Sequence, residues 1–282
     1  MKSTSIKIRT FNVACAHEIV LPNKKTILID PYFPGEKTGE KSREAITGAD
    51  YILMTHTHFD HDLDLGYFVK KFDSKVFISA FSAMDAMKFH QIPYDNIFPV
   101  FPGQKYTLDD FTFQVWQAKH NASGGRIFSL DDDITKKECG IEGHFNCDVN
   151  GSMDSLDYLI TTNNNFRIMT ASGQVICNDI FDICKQNGPN LLLRQAGVRR
   201  GGDFRTGVQV SATELAQLLI KYRAQIIMPF HMDLMCNRIG EDKVEEYFEQ
   251  VAQEVAKIDP GAVFVYPKAW KWYDISMNVS VE

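Results

Sequence analysis

Residues 55–61 read THTHFDH, placing His56, His58, Asp60 and His61 within six positions. Neutral imidazoles and a carboxylate at this density suit a borderline divalent cation such as zinc or manganese. His56 and His58 are two apart, and an extended backbone points both rings to the same side. Asp60 and His61 follow on the turn into a helix, from which they can aim at a neighbouring point. A single histidine would be read as a hydrogen-bonding residue of a polar loop. Four potential ligands at this spacing, directly after a buried strand, point to metal binding instead.

The elements around this cluster must hold it rigidly. ADYILM (residues 49–54) reads as a buried strand running into it. Upstream, residues 6–13, 19–21 and 25–30 read as successive strands, with a tight turn at Asn23-Lys24. Pro31 stops the last of them just after Asp30. A helix is expected after His61 with Leu63, Phe68, Val69 and Phe72 inward, then a strand at 75–80 and a helix at 82–90 that ends in a surface-capping His90. FTFQVWQ (111–117) alternates with period two, as a half-buried strand does. Strands follow at 156–161 and 166–171. Ser211 and Glu214 form a capping box for a helix whose apolar face is Ala212, Leu215, Leu218, Leu219 and Tyr222. That helix leads to a strand at 225–228, a second amphipathic helix at 242–256 and a strand at 262–266. Hairpins mixed with strand–helix units imply sheets packed together and covered by helices.

His56-x-His58-x-Asp60-His61 resembles the HxHxDH motif of the metallo-β-lactamase superfamily. The strand ending in Asp30 is similar to the superfamily's first motif. VWQAKH places His120 at a strand end like the third, and IIMPFH places His231 after a strand like the last. TILIDPYF and the helix–strand–PFH ending look most like the ascorbate-phosphate lactonase branch. The resemblance implies one domain over residues 1–282, folded as a four-layered αββα sandwich. It also implies two adjacent metal sites, the first held by His56, His58 and His120 and the second by Asp60, His61 and His231. Water held by the metals would attack the substrate, and Asp60 would orient it. Asp30 would support the metal loop through hydrogen bonds, although by spacing alone it is equally an Asp-Pro strand stop.

The chain departs from the family at one position. Where the family carries a bridging aspartate after a glycine, this sequence has Gly173-Gln174. A neutral amide cannot bridge two cations, so either one tight metal with a weak second, or a dinuclear centre without its bridge, is expected. Asp179, five residues on, could substitute only if the loop curls back. The implied activity is hydrolysis of a small ester, lactone or phosphoester, anionic in one version of the reading. Arg194, Arg199, Arg200 and Arg205 form a basic cluster that could grip an anion or simply be solvated. The irregular stretch 121–153 reads as a lid or insertion, with His144 facing substrate or joining Cys139 and Cys147 in an extra zinc site. His17 and Cys15 could approach the site from the N-terminal side. The alternatives are a mononuclear iron oxidoreductase of the dioxygenase kind on the same fold, and a non-catalytic binding protein with a degenerate second site. Diiron members replace the second motif histidine with glutamate, and His58 stands against that.

The 282 residues carry a formal net charge of −6 with 23% charged and 44% hydrophobic residues. That composition is globular and argues against a nucleic-acid partner, which would meet a basic stripe. No run approaches the ~18 apolar residues of a membrane span. Six scattered cysteines read as free thiols of a reducing compartment, so a cytoplasmic setting is expected. A small-molecule partner and self-association into a homo-oligomer are both compatible with the sequence.

Overall fold

Two chain patterns build the structure: short strands rich in β-branched and aromatic residues, and helices apolar on one face. The computed structural model describes residues 5–11, 16–33, 43–120, 141–144, 154–173, 175–176, 178–199 and 209–276. One seven-stranded sheet contains β1 (Ile6–Thr10), β2 (His17–Val20), β3 (Thr26–Ile29), β4 (Tyr51–Leu53), β5 (Lys75–Ser79), β6 (Ile97–Val100) and β14 (Tyr273–Ile275), in the order β14-β1-β2-β3-β4-β5-β6. The other holds β7 (Lys105–Thr107), β8 (Phe111–Gln117), β9 (Leu156–Thr162), β10 (Arg167–Ala171), β11 (Leu191–Gln195), β12 (Ile226–Phe230) and β13 (Val263–Phe264), in the order β13-β12-β11-β10-β9-β8-β7.

Each sheet is antiparallel on one side and parallel on the other. Strands β14 to β3 pair antiparallel and β3 to β6 parallel. Strands β7 to β10 pair antiparallel and β10 to β13 parallel. Side-chain alternation sorts the strand residues into three apolar layers. Ile27, Ile29, Leu53 and Phe77 meet Phe111, Phe113, Tyr158 and Leu193 between the sheets. Leu28, Ile52, Val76 and Ile78 point outward and are covered by α2 (Leu65–Phe72) and α3 (Ala83–His90). Leu159, Met169, Leu192 and Ile227 lie under the helices Asp179–Asn187, Ala212–Leu219 and Glu241–Ile258. The arrangement is helix, sheet, sheet, helix: the αββα sandwich that the sequence implied. Burying each of the aromatic side chains at its centre contributes about 1.5–3 kcal/mol. Among the described residues no helix is long and apolar enough to cross a membrane.

Two sequence expectations are corrected here. Leu63 is 38% exposed because α1 (Phe59–Asp62) is a separate turn and α2 begins its own register at Leu65, burying Leu65, Phe68 and Val69. Arg194 does not line a substrate pocket. On β11 it alternates with Leu193, so it faces the outer helix layer, 2% exposed, and its Nη1 donates to the Ala171 carbonyl at 3.0 Å. Asp157 on β9 is the carboxylate whose charge it feels. Asp157 accepts from the Ser172 amide at 2.7 Å and hydroxyl at 3.0 Å. Burial outweighs these bonds and Arg194 together, and pushes the Asp157 carboxyl up to about 6.

The native state therefore holds the Asp157 proton more tightly than the unfolded chain. Its contribution to stability is full at low pH, declines as pH rises from about 4 to about 6, and is constant above; the span corresponds to roughly 3 kcal/mol. Denaturant midpoints of the wild type and Asp157→Asn, compared between pH 4 and 7, should diverge by that slope; parallel curves would refute the assignment. Ser211 and Glu214 form the expected capping box, with both reciprocal bonds present. Ser211→Ala should cost about 1 kcal/mol in the same measurement.

Candidate metal centre

The site lies where β3, β4, β8 and β12 deliver their carboxyl ends. Asp30 follows β3 directly, with φ +45°, a left-handed conformation that aspartate tolerates better than most residues. Its Oδ1 accepts the Thr55 amide at 2.6 Å and its Oδ2 accepts the Thr55 hydroxyl. The same Oδ2 lies 2.9 Å from His61 Nδ1. One buried carboxylate thus joins the end of β3 to both ends of the histidine loop. Burial raises its pKa well above the ordinary carboxylate range despite these bonds.

A second buried carboxylate braces the loop from the other sheet. Asp154 precedes β9 and accepts the Thr57 amide at 3.1 Å, the Thr57 hydroxyl, and the Ser82 hydroxyl at 2.7 Å. The loop is further tied by the Leu156 amide donating to the Thr55 carbonyl at 2.7 Å, and by the Tyr158 hydroxyl donating to the Met54 carbonyl at 2.6 Å.

These braces converge six donor side chains. His56, His58 and His120, all buried, place donor nitrogens within 4.8 Å of one another. His56 Nε2 and His58 Nδ1 are 3.1 Å apart, and the His120 ring centroid lies 4.5 Å from that of His56 and 4.4 Å from that of His58. Burial pushes the imidazoles of His56 and His120 well below their ordinary pKa, which keeps lone pairs free for a cation. The Nδ1 of His120 is buried without a hydrogen-bond partner, a costly state for a polar atom unless an ion takes its lone pair. Chemically, this set fits a divalent metal.

Asp60, His61 and His231 make the adjoining cluster. Asp60 Oδ1 is 3.9 Å from His61 Nε2, and its Oδ2 is 3.7 Å from His231 Nε2. These separations are too long for hydrogen bonds but suit two ligands of one ion with bonds of about 2.0–2.2 Å. Both histidines present Nε2 because Nδ1 is held elsewhere: His61 by Asp30, and His231 by Asp233 Oδ1 at 2.7 Å. Carboxylates behind ligand imidazoles fix ring orientation in this way. Burial alone would depress His231; Asp233, Asp60 and Asp30 outweigh it and lift the ring to about 8. Burial pushes His61 down instead, with His231 next in effect. His231 itself has φ +57°, and is turned back from β12 towards the centre. Tyr32 stands beside the cluster, its hydroxyl pushed up to about 12 by burial and by Asp60 and Asp233.

Several residues singled out in the sequence lie elsewhere. His144 does not face these clusters: its Nε2 is 2.9 Å from Asp62 Oδ1, because Asp62 points away from Asp60 and His61 on α1. His90 is not a surface cap, since its Nε2 is 3.0 Å from the other oxygen of Asp62. Arg199 is half-buried in a bridge to Gln209, close enough to Arg238 to feel its charge. His17 is buried in β2 with its ring edge-on to Phe230 at 5.1 Å. Asp179 is exposed in the first turn of its helix and belongs to none of the clusters. Gln174, Arg200, Arg205, Cys15, Cys139, Cys147 and nearly all of 121–153 lie outside the described residues. Sequence reasoning missed Asp154 and Asp233. Asp233 carried a signal, a carboxylate two residues after the histidine of PFHMD; Asp154, 97 positions from the residue it braces, carried none.

Comparison with known proteins agrees with this geometry. A UPF0173 metal-dependent hydrolase of Staphylococcus aureus (strain MRSA252) is 30% identical over 101 residues, 36% of this chain and 43% of its own, so the match spans less than half of that relative's length. Among solved structures, Igni18, a metallo hydrolase from Ignicoccus hospitalis, superposes with a TM-score of 0.66 at 14% identity, over 98% of this chain and 100% of its own. An isothiocyanate hydrolase from Delia radicum gut bacteria gives 0.65 at 15%, over 96% and 100%. At these identities the structures show a shared fold. The sequence model of the metallo-β-lactamase superfamily matches residues 18–161, just over half of the chain, and the chain belongs to that superfamily.

Proposed function

We propose that this chain is a metal-dependent hydrolase of a small ester, lactone or phosphoester. In this reading His56, His58 and His120 hold one divalent ion, zinc or manganese, and Asp60, His61 and His231 hold its neighbour. The observation that carries it is the convergence of two adjoining donor clusters at the carboxyl ends of strands from both sheets. Bound divalent ions would polarise the scissile carbonyl or phosphoryl oxygen and acidify water.

The chain's own residues would supply the rest. Asp60, the carboxylate of the second cluster, has a side chain 27% exposed, more than that of Asp233 behind His231 at 15%. It is placed to orient attacking water and take its proton. Asp30 and Asp233 set the rings of His61 and His231, and Asp154 sets the backbone of the loop between His56 and His58. Arg194 is buried under the outer helices, and the ions themselves would supply attraction for an anionic substrate. The free Cys184 and Cys236 agree with a reducing, cytoplasmic setting.

Gly173, beside the centre, leaves no room for a side chain. It follows β10 and runs alongside Lys119, next to His120. A Cβ there would stand 2.7 Å from the Lys119 carbonyl oxygen and 3.0 Å from its nitrogen. Gly173→Ala should therefore cost about 1–3 kcal/mol in thermal unfolding and weaken retention of the first metal by moving His120.

The reading is tested by elemental analysis of protein purified without added metal or chelator, followed by a screen of lactones and phosphoesters. About two equivalents of zinc or manganese at these two clusters, with hydrolytic turnover, are expected. About one equivalent of iron with oxygen uptake would replace the reading with oxygen chemistry. His120→Ala should lose the first ion and turnover together, and unchanged metal content would refute its role. Gln174→Asp should raise occupancy of the second cluster, since it restores a carboxylate where a neutral amide stands.

A further inference from the structure

Outside the two adjoining clusters, a third convergence of donors lies on the far side of α1. We infer that Asp62, His90 and His144 form a separate binding site for a divalent, zinc-like cation. Nε2 of His90 is 3.0 Å from Asp62 Oδ2, and Nε2 of His144 is 2.9 Å from Asp62 Oδ1. The three side chains are 4%, 0% and 0% exposed for His90, His144 and Asp62. All three donor atoms fall within 4.8 Å of one another. Tetrahedral bonds of about 2.0–2.1 Å would separate donors by ~3.3 Å, close to the two imidazole–carboxylate separations, so an ion would be seated by drawing the two imidazoles in around it.

Three further observations favour a cation over a simple hydrogen-bonded cluster. First, a carboxylate at 0% exposure needs a compensating positive charge. Among the described residues, the ion-pair partners of Asp62 are these two histidines, with neither lysine nor arginine against it. Second, the donors come from three segments: α1, the end of α3, and the turn at residues 141–144, with His90 and His144 standing 28 and 82 positions from Asp62. Fixing such distant segments by two hydrogen bonds to a carboxylate returns about 1.5–3 kcal/mol each, whereas a structural zinc ion contributes more. Third, the surroundings match a metal site. Phe89 packs edge-on to both rings, with centroids 4.7 and 5.0 Å away, as a dry wall. On the other side His90 also borders a cavity of about 280 Å³ lined by Gly66, Lys70, Asp73 and Asn96.

The assignment does not depend on the proposed hydrolase, and the test separates the two. His120→Ala, which removes the first ion from the main centre, serves as background. Zinc alone is added, excess is removed, and metal is counted; cobalt(II) is then substituted and its visible spectrum recorded. The background protein is expected to retain a cobalt band with the intensity of four-coordinate N/O ligation. Adding Asp62→Asn, which keeps the shape and a hydrogen-bonding group but removes the charge, should remove one equivalent of zinc and that ion's share of the band, leaving only the contribution of the Asp60–His61–His231 cluster. Adding His90→Ala instead should do the same. Retention of the full zinc count and an unchanged cobalt spectrum in both double variants would overturn the site, as would a background protein with no ion beyond the Asp60–His61–His231 cluster. Circular dichroism of each variant checks that a lost ion is not a lost fold.

Discussion

Everything at the centre of this protein depends on a buried carboxylate, Asp30, placed at the end of a strand in a left-handed turn. Six donors cannot share so small a volume unless each ring is prevented from turning to satisfy itself elsewhere. Asp30 does this for His61 directly and for His56 through Thr55, whose amide and hydroxyl it receives. Because it is inaccessible to water, its bonds compete with no solvent, and their directions are held by the strands on either side. Asp154 repeats the device from the opposite sheet, so the loop is clamped between the two halves of the sandwich.

Electrostatics at the centre follow from this packing. Burial drives the imidazoles of His56, His61 and His120 towards neutrality, and the carboxyl of Asp30 likewise. His231 is the exception, since three carboxylates face it. The rings are thus stripped of protons where a cation would need their lone pairs, while the acidic side of the pair of clusters gathers around Asp60 and His231. An incoming divalent charge would meet neutral nitrogens on one flank and anions on the other.

Much of this was legible in the sequence because the relevant signals are local. THTHFDH places ligands two and three residues apart, and the apolar runs before Asp30, His56 and His231 announce the strands that end at each. The capping box at Ser211 and Glu214 is equally local, and it formed as read. What the sequence hid was long-range or depended on register. Arg194 sits in an arginine-rich segment and reads as surface, but strand alternation turns it under the helices, where Asp157 answers its charge. His144 looked like part of a cysteine-flanked motif, yet its partner is 82 positions upstream. Asp62 is indistinguishable in sequence from its neighbour Asp60, and only the direction of a single helical turn separates them.

The pairing of β1 with β14 carries a consequence for how the chain comes off the ribosome. Ile6, Lys7 and Ile8 lie opposite Ile275, Asp274 and Tyr273, so the outer edge of the first sheet is open until nearly everything between has been made. A bare strand edge recruits other edges, and synthesis at roughly 5–20 residues per second leaves this one waiting for many seconds. Arg9 is engaged in its buried pair with Glu18 of β2, but the exposed Lys7 puts a positive charge on the waiting strand, which discourages the first sheets of neighbouring nascent chains from pairing with one another before each closes on β14.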